Sequence, residues 1–202
     1  MLLYVALKMS EVTATQILVT AYVPLWIIPR IIAVLNAKPC ETRIHSPWLT
    51  LVMFVWVFVI CTMTGFGTHL IWLGGLPRFR SVWFGTLFLF LSVTLLVECL
   101  RHLRDYYSLE IEIKKEHQVI DSGPYKFIRH PIYLSDIFGY IGVCFLVSSW
   151  LTWLTLPLFV LAIQLMIRRE EYVLTSILGN QYVIYKSSTG LGVGRWLVRQ
   201  KF

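Results

Sequence analysis

The chain has 202 residues, of which 57% are hydrophobic, 15% aromatic and only 14% charged, with a mean hydropathy of +0.68. Those proportions exclude an ordinary soluble globule of this size and call for an integral membrane protein. The net charge of +7 does not imply nucleic acid, because the basic residues are scattered over short loops between apolar runs and gather on no single face.

The N-terminal run MLLYVALKMSE is too short for a signal-peptide core and has no small-x-small cleavage site, so it is read as part of the mature chain. The first expected span covers 12–35, long enough for a bilayer at about 20 residues per crossing. Pro24 and Pro29 are expected to kink it, and Arg30 to snorkel into the headgroups near its end. A polar loop at 36–46 follows. The second span, 48–73, is framed by Trp48 and Trp72 as interfacial belt residues. The third, 82–100, carries Glu98 inside its end, and Glu98 and His102 are one helical turn apart, spaced for a local pair. Cys61, Cys99 and Cys144 lie in apolar runs, and with Cys40 they form no CxxC pair, so they read as buried small hydrophobes.

A hydrophilic segment at 101–131 then interrupts the membrane pattern, and a connection that long is uncommon without a function. Spans at 132–149 and 151–167 close the set. The link between them is so short that they form an antiparallel hairpin, which places the stretches before and after it on one side of the membrane. With five spans, that side receives 14 of the 18 Lys and Arg and the other side 3, so the rich side is cytoplasmic by the positive-inside rule. Beyond the hairpin, Leu174, Ile177, Leu178, Tyr182 and Tyr185 recur at three- and four-residue steps, the pattern of an amphipathic interfacial helix broken or capped near Gly179. The expected fold is an all-α integral membrane bundle of about five spans in a single membrane domain, with 101–131 and 168–186 as cytoplasmic segments.

Those two segments hold the dense runs of charged, aromatic and turn-forming residues. Gly123-Pro124 makes a turn, and Pro131 is suited to the first position of a helix. Tyr125, Phe127, His130 and Tyr133 cluster around them, and the carboxylates Glu170 and Glu171 follow the hairpin. Aromatic walls with carboxylates suit a cationic ligand that also bears hydroxyl groups; the plainer alternative is a solvated helix end with surface ion pairs among Arg168, Arg169, Glu170 and Glu171. The five histidines form no HxxxH cluster, so no metal site is expected, and Gly190-Leu191-Gly192-Val193-Gly194 lacks the strand that a nucleotide loop follows.

GPYxxxRHPxY at 123–133, a helical hairpin, and EExxLxxxLGxxYxxY at 170–185 together resemble the isoprenylcysteine carboxyl methyltransferase and phospholipid methyltransferase group of membrane enzymes, over about 103–186. The resemblance implies an all-helical membrane enzyme that transfers a methyl group from S-adenosylmethionine to a membrane lipid or prenylated acceptor. Carried over position by position, it implies cofactor contacts at His117, Gln118, Val119, Ile120, Tyr125, His130, Pro131, Ile132, Tyr133 and Glu170, with Glu171 as partner. No catalytic residue is assigned; Arg129 and Arg169 are the candidates. Where carboxyl methyltransferases of this group carry an arginine one turn before the first glutamate, this chain has Met166, which raises an amine acceptor as the rival reading. An NADPH-dependent membrane reductase and a non-enzymatic membrane scaffold are the rivals from other classes. Ser135, Gly139 and Gly142 give the fourth span a small-residue face for close packing or an acceptor opening, and Asp136 is a candidate polar wall of that path, or else a capping or water-contacting group.

Overall fold

The structure is a computed structural model and describes residues 2–37, 40–44, 81–108, 111–114, 119–147 and 150–189. It is helical, and three of its stretches, Ala14–Leu35, Val82–Tyr106 and Thr152–Leu178, are long and apolar enough to cross a bilayer. The expected span at 48–73 lies outside the described residues.

Helix α1 (Leu2–Leu35) continues through both Pro24 and Pro29. Helix α2 (Val82–Leu103) starts at Ser81, whose Oγ accepts the Phe84 amide at 3.3 Å and satisfies one of the first-turn donors. Its buried residues, Gly85, Leu89, Ser92, Leu96, Cys99 and Leu100, recur at steps of three and four, so a single stripe faces inward. Trp83, Phe84, Leu87 and Phe90 are exposed on its other sides, as suits a helix with lipid around it.

That stripe packs on helix α3 (Pro131–Val147), the centre of the bundle. Eleven of its 17 residues are buried. At that length it spans about 25 Å, short of the roughly 30 Å hydrocarbon core, and its neighbours rather than lipid cover most of it. The small-residue face serves close packing. A methyl group at Gly142 would stand 2.7 Å from a Leu89 methyl and 3.0 Å from the Gly85 carbonyl oxygen, and one at Gly139 would strike the Tyr22 hydroxyl. Tyr22 Oη in turn meets Ser92 Oγ at 3.0 Å, tying α1 to α2 across this face.

Helix α4 (Trp150–Leu178) does not end at the expected membrane boundary near 167 but continues for three more turns. Arg168, Arg169, Glu170 and Glu171 are good helix formers, and nothing breaks the helix before Gly179. There φ is +55°, a left-handed conformation that favours glycine, and the chain turns into α5 (Asn180–Ser188). The expected break at Gly179 is therefore present. Of the expected apolar face, Tyr182 and Tyr185 are buried, together with Val173, whereas Ile177 is exposed.

Two stretches read as loops pair instead. β1 (Cys40–Ile44) lies antiparallel to β2 (Ile111–Lys114), with Ile44 opposite Ile111, Arg43 opposite Glu112 and a register shift between Cys40 and Thr42. This ladder joins the segment after α1 to the segment after α2, which puts both at one end of the bundle.

Arg30 departs from its expected role. It does not snorkel outward: it is 4% exposed and paired with Asp136 of α3 at 2.5 Å. A charge held among helices is stabilised by a fixed carboxylate, and Asp136 offers one within reach of the α1 side chain. Asp136, read as a polar wall of a path or as a capping or water-contacting group, accepts from Arg30 Nη2 and, at 2.8 Å, from Trp26 Nε1.

Candidate functional site

The site is assembled at the end of the bundle where α3 begins. Gly123 opens a short 3-10 turn, Gly123–Lys126, with φ +57°, and any side chain there would strike the His102 imidazole. His102 Nδ1 meets Ser122 Oγ at 3.1 Å, so the end of α2 holds the start of the turn. The expected local pair with Glu98 is present in a loose form, at 4.0 Å, while Arg101 takes the other carboxylate oxygen at 2.8 Å. Tyr125 and Phe127 amides close the turn onto Ser122 and Pro124 carbonyls. Pro131 then starts α3 with its missing donor at a position that needs none, and His130 precedes it, its carbonyl accepting the Leu134 amide at 3.4 Å.

The two motifs meet here. Glu170 Oε2 accepts the Tyr133 hydroxyl at 3.0 Å and lies 3.5 Å from His130 Nδ1. His130 and Tyr133 are stacked, ring centroids 5.7 Å apart. Glu171 Oε1 accepts Arg129 Nε at 2.7 Å, and Oε2 receives Lys186 Nζ at 2.8 Å. Arg129 Nη1 also donates to the Lys186 and Thr189 carbonyls, at 2.9 and 3.0 Å, closing the end of α5. Tyr185 Oη donates to the Tyr125 carbonyl at 2.8 Å, a second tie from α5 to the turn. The glutamates are thus not a solvated helix end: Glu171 is buried and Glu170 is 29% exposed.

The electrostatics follow from this geometry. Burial alone would push the His130 imidazole toward neutrality, but the Glu170 carboxylate beside it, with Glu171 adding to the effect, raises it to about 9. Tyr185 is pushed up to about 12 by burial. Among the described residues, two buried polar atoms of the site have no hydrogen-bond partner, His130 Nε2 and Tyr125 Oη. The nearest carboxylate oxygen to the first, Glu171 Oε1, stands 3.6 Å away, and the Cys99 thiol is a neighbour of the second. Among the described residues Glu170 Oε1 receives no hydrogen bond, so one oxygen of this carboxylate is left open.

Of the residues singled out from the sequence, Tyr125, His130, Pro131, Tyr133, Glu170 and Glu171 are brought together, with Ile132 half-buried at the head of α3. Val119 and Ile120 are half-buried on the approach to the turn, and His117 and Gln118 lie outside the described residues. Arg129 is committed to Glu171 and two carbonyls, and Arg169 is exposed, as is Arg168. Lys186 is the site member that sequence reasoning did not place; nothing local to it marks it as a partner of Glu171.

Residues 84–176 match the model of the isoprenylcysteine carboxyl methyltransferase (ICMT) family. The matched stretch is a little under half of the chain and takes in α2, the turn, α3 and the glutamates of α4, ending before α5. The match agrees with the resemblance carried by the first motif and the start of the second, over the part of the chain that builds the site. No curated protein matches the chain.

Proposed function

We propose that this protein is an S-adenosylmethionine-dependent methyltransferase acting on a lipid-like or prenylated acceptor, with the cofactor held between the Arg129–Tyr133 turn and Glu170 at the cytoplasmic end of the bundle. One observation carries the reading: within the ICMT-matched stretch, the Glu170 carboxylate lies against the His130 ring and is a neighbour of Tyr125, and His130 Nε2 and Tyr125 Oη are buried atoms with no hydrogen-bond partner among the described residues. Buried polar atoms without partners are rare, and a ligand with an ammonium group, ribose hydroxyls and ring nitrogens supplies complements to all three. The bound cofactor would supply an activated methyl group on a sulfonium.

The residues then have separable roles. Glu170 accepts hydrogen bonds from the ligand on Oε1 while Tyr133 and His130 hold Oε2. The protonated His130 keeps Glu170 ionised and oriented. The Tyr125 and Tyr133 rings wall the pocket and exclude water, and the neighbouring apolar helices admit an acceptor from the bilayer. Methyl transfer needs little acid-base help, so alignment and dehydration are the main work asked of the protein.

A second acceptor class has one observation in its favour. The place one turn before Glu170 is the half-buried Met166, and the adjacent Arg168 and Arg169 are exposed, so no guanidinium of α4 is placed for an acceptor carboxylate. An amine, as in a phospholipid headgroup, needs none.

The test is binding of S-adenosylhomocysteine to detergent-purified protein by calorimetry, beside Glu170→Ala and His130→Ala. Micromolar binding lost in both variants supports the reading, and binding absent from a folded sample, or indifferent to both changes, sinks it. Transfer of labelled methyl from the cofactor to a membrane extract then separates the acceptors: a methyl ester releases methanol in base, whereas an N-methyl group does not.

A further inference from the structure

The charged pair inside the bundle is not used by the site as described, yet it is built with more precision than packing needs. Asp136 Oδ1 accepts Arg30 Nη2 at 2.5 Å and Trp26 Nε1 at 2.8 Å. Arg30 Nη1 donates back to the Trp26 carbonyl at 3.3 Å, and the guanidinium carbon stands 3.9 Å from the centre of the Trp26 ring. Buried Tyr107, just beyond α2, borders the same guanidinium. Two helices far apart in sequence, α1 and α3, therefore meet at one carboxylate oxygen, with Tyr107 against the guanidinium.

As a source of net stability such a pair is poor. Removing both charges from water costs several kcal/mol per ion, and apolar side chains of similar volume hold helices together as well or better. What apolar packing does badly is fix the depth and rotation of a short helix among other apolar helices, because sliding or turning it exchanges one greasy contact for another. A single buried polar contact settles that choice, which is its best-attested use. The helix in question is α3, and its first turn carries the site. Tyr133 is three residues before Asp136, and His130 precedes the helix by one residue. Each residue step around a helix is about 100°, so a rotation of α3 by a fraction of that takes the Tyr133 hydroxyl off Glu170.

We propose that Arg30 and Trp26 act through Asp136 as a positioning clamp, setting the depth and rotation of α3 so that Tyr133 and His130 meet Glu170, and thereby setting the affinity for the cofactor. The affinity part rests on the methyltransferase reading; the positioning part does not. Tyr107 holds the clamp from the side of α2, and the Tyr22–Ser92 hydrogen bond is a separate tie that stays in place when the pair is removed.

The experiment removes the pair without leaving a charge unpaired. Asp136→Leu alone strands a buried guanidinium and is expected to misfold, so the informative protein is the Arg30→Met/Asp136→Leu double variant, with Arg30→Lys as the conservative control. Three quantities are measured in detergent: thermal unfolding, the titration of His130 by NMR of histidine-labelled protein, assigned by its loss in His130→Gln, and S-adenosylhomocysteine binding by calorimetry. The groups that bear on His130 are Glu170, Glu171, Tyr133 and Arg129. The clamp requires the double variant to unfold within a few degrees of wild type. Its His130 midpoint should fall from about 9 toward the ordinary range near 6.5, and its affinity for S-adenosylhomocysteine should fall about tenfold. Arg30→Lys should stand between the two. A double variant that titrates like wild type overturns the clamp, as does an affinity that falls only in step with the unfolding temperature. A midpoint that falls while affinity stays unchanged overturns the link to the cofactor. Should wild type itself not bind, the methyltransferase reading fails instead, and the titration alone decides the clamp.

Discussion

Arg129 and Glu171, 42 residues apart, form an ion pair at 2.7 Å with both side chains almost fully buried. This pair links α4 to the turn that precedes α3, and the two carbonyls that Arg129 also caps extend the link to the end of α5. Lys186 completes the arrangement from a side chain that is 45% exposed.

The exposures order the effects of substitution. Arg129→Met strands a buried carboxylate with one half-exposed partner and should destabilise the protein by about 3 kcal/mol. Lys186→Met removes a partly solvated ammonium and should cost at most about 1 kcal/mol. Arg129→Lys falls between, since an ammonium reaches Glu171 but lacks the second arm that serves the Lys186 and Thr189 carbonyls. Thermal unfolding of the three variants in one detergent checks the order, and an equal loss from Arg129→Met and Lys186→Met would refute it.

His130 gives the fold a pH dependence of definite sign. Its folded value is raised to about 9, above the roughly 6.5 of an unfolded chain. Its stabilising contribution is therefore complete below about 6.5 and disappears as pH rises through about 9. The full term is on the order of 3 kcal/mol, because the group is buried and its partner Glu170 is fixed. Unfolding measured from pH 6 to 10 should show stability declining across that window in wild type and a flatter profile in His130→Gln. An equal slope in both would assign the decline to other groups.

How much of this was legible in the sequence depended on how far apart the partners lie. The meeting of the His130 turn with Glu170 followed from local facts, since a two- or three-residue link forces a hairpin and a hairpin returns its ends to one side. The Gly179 break was equally local. Arg30 is different: its partner is 106 residues away, and an arginine near the end of an apolar run looks the same whether it reaches for headgroups or for a carboxylate on another helix. The end of α4 was misplaced near 167 because hydropathy reports where lipid stops, whereas the helix stops only where the backbone does. The β1–β2 ladder was hidden because CETRI and IEIK are short and lie in polar surroundings, and each has a pattern only once it has found the other.

Two glycines separate packing from backbone conformation. At Gly142 a methyl group meets the Leu89 side chain and the Gly85 carbonyl, so Gly142→Ala should force α2 and α3 apart and cost about 1–3 kcal/mol. At Gly179 nothing lies within 4 Å, and Gly179→Ala pays only for the left-handed φ, about 1–2 kcal/mol. The sharper contrast is with bulk. Gly142→Leu should abolish folding, whereas Gly179→Leu should unfold at nearly the temperature of Gly179→Ala, and parallel expression and thermal unfolding would reveal either failure.

Tyr133 offers the cleanest dissection of the proposed cofactor site, because its hydroxyl and its ring do different things. The hydroxyl donates to Glu170 Oε2 at 3.0 Å, and the ring stacks on His130. Tyr133→Phe removes the first and keeps the second, leaving His130 as the remaining partner of that oxygen. A hydrogen bond to a charged acceptor is worth about 1.5–3 kcal/mol, so S-adenosylhomocysteine should bind roughly ten- to a hundredfold more weakly with stability lowered far less than by Arg129→Met. Tyr133→Leu removes the stacked ring as well and should weaken binding further. Calorimetry on both variants, with His130 titration as a check that Glu170 stays in place, decides the matter: unchanged affinity in Tyr133→Phe would mean that Glu170 is held by His130 alone and that the Tyr133 hydroxyl orients nothing.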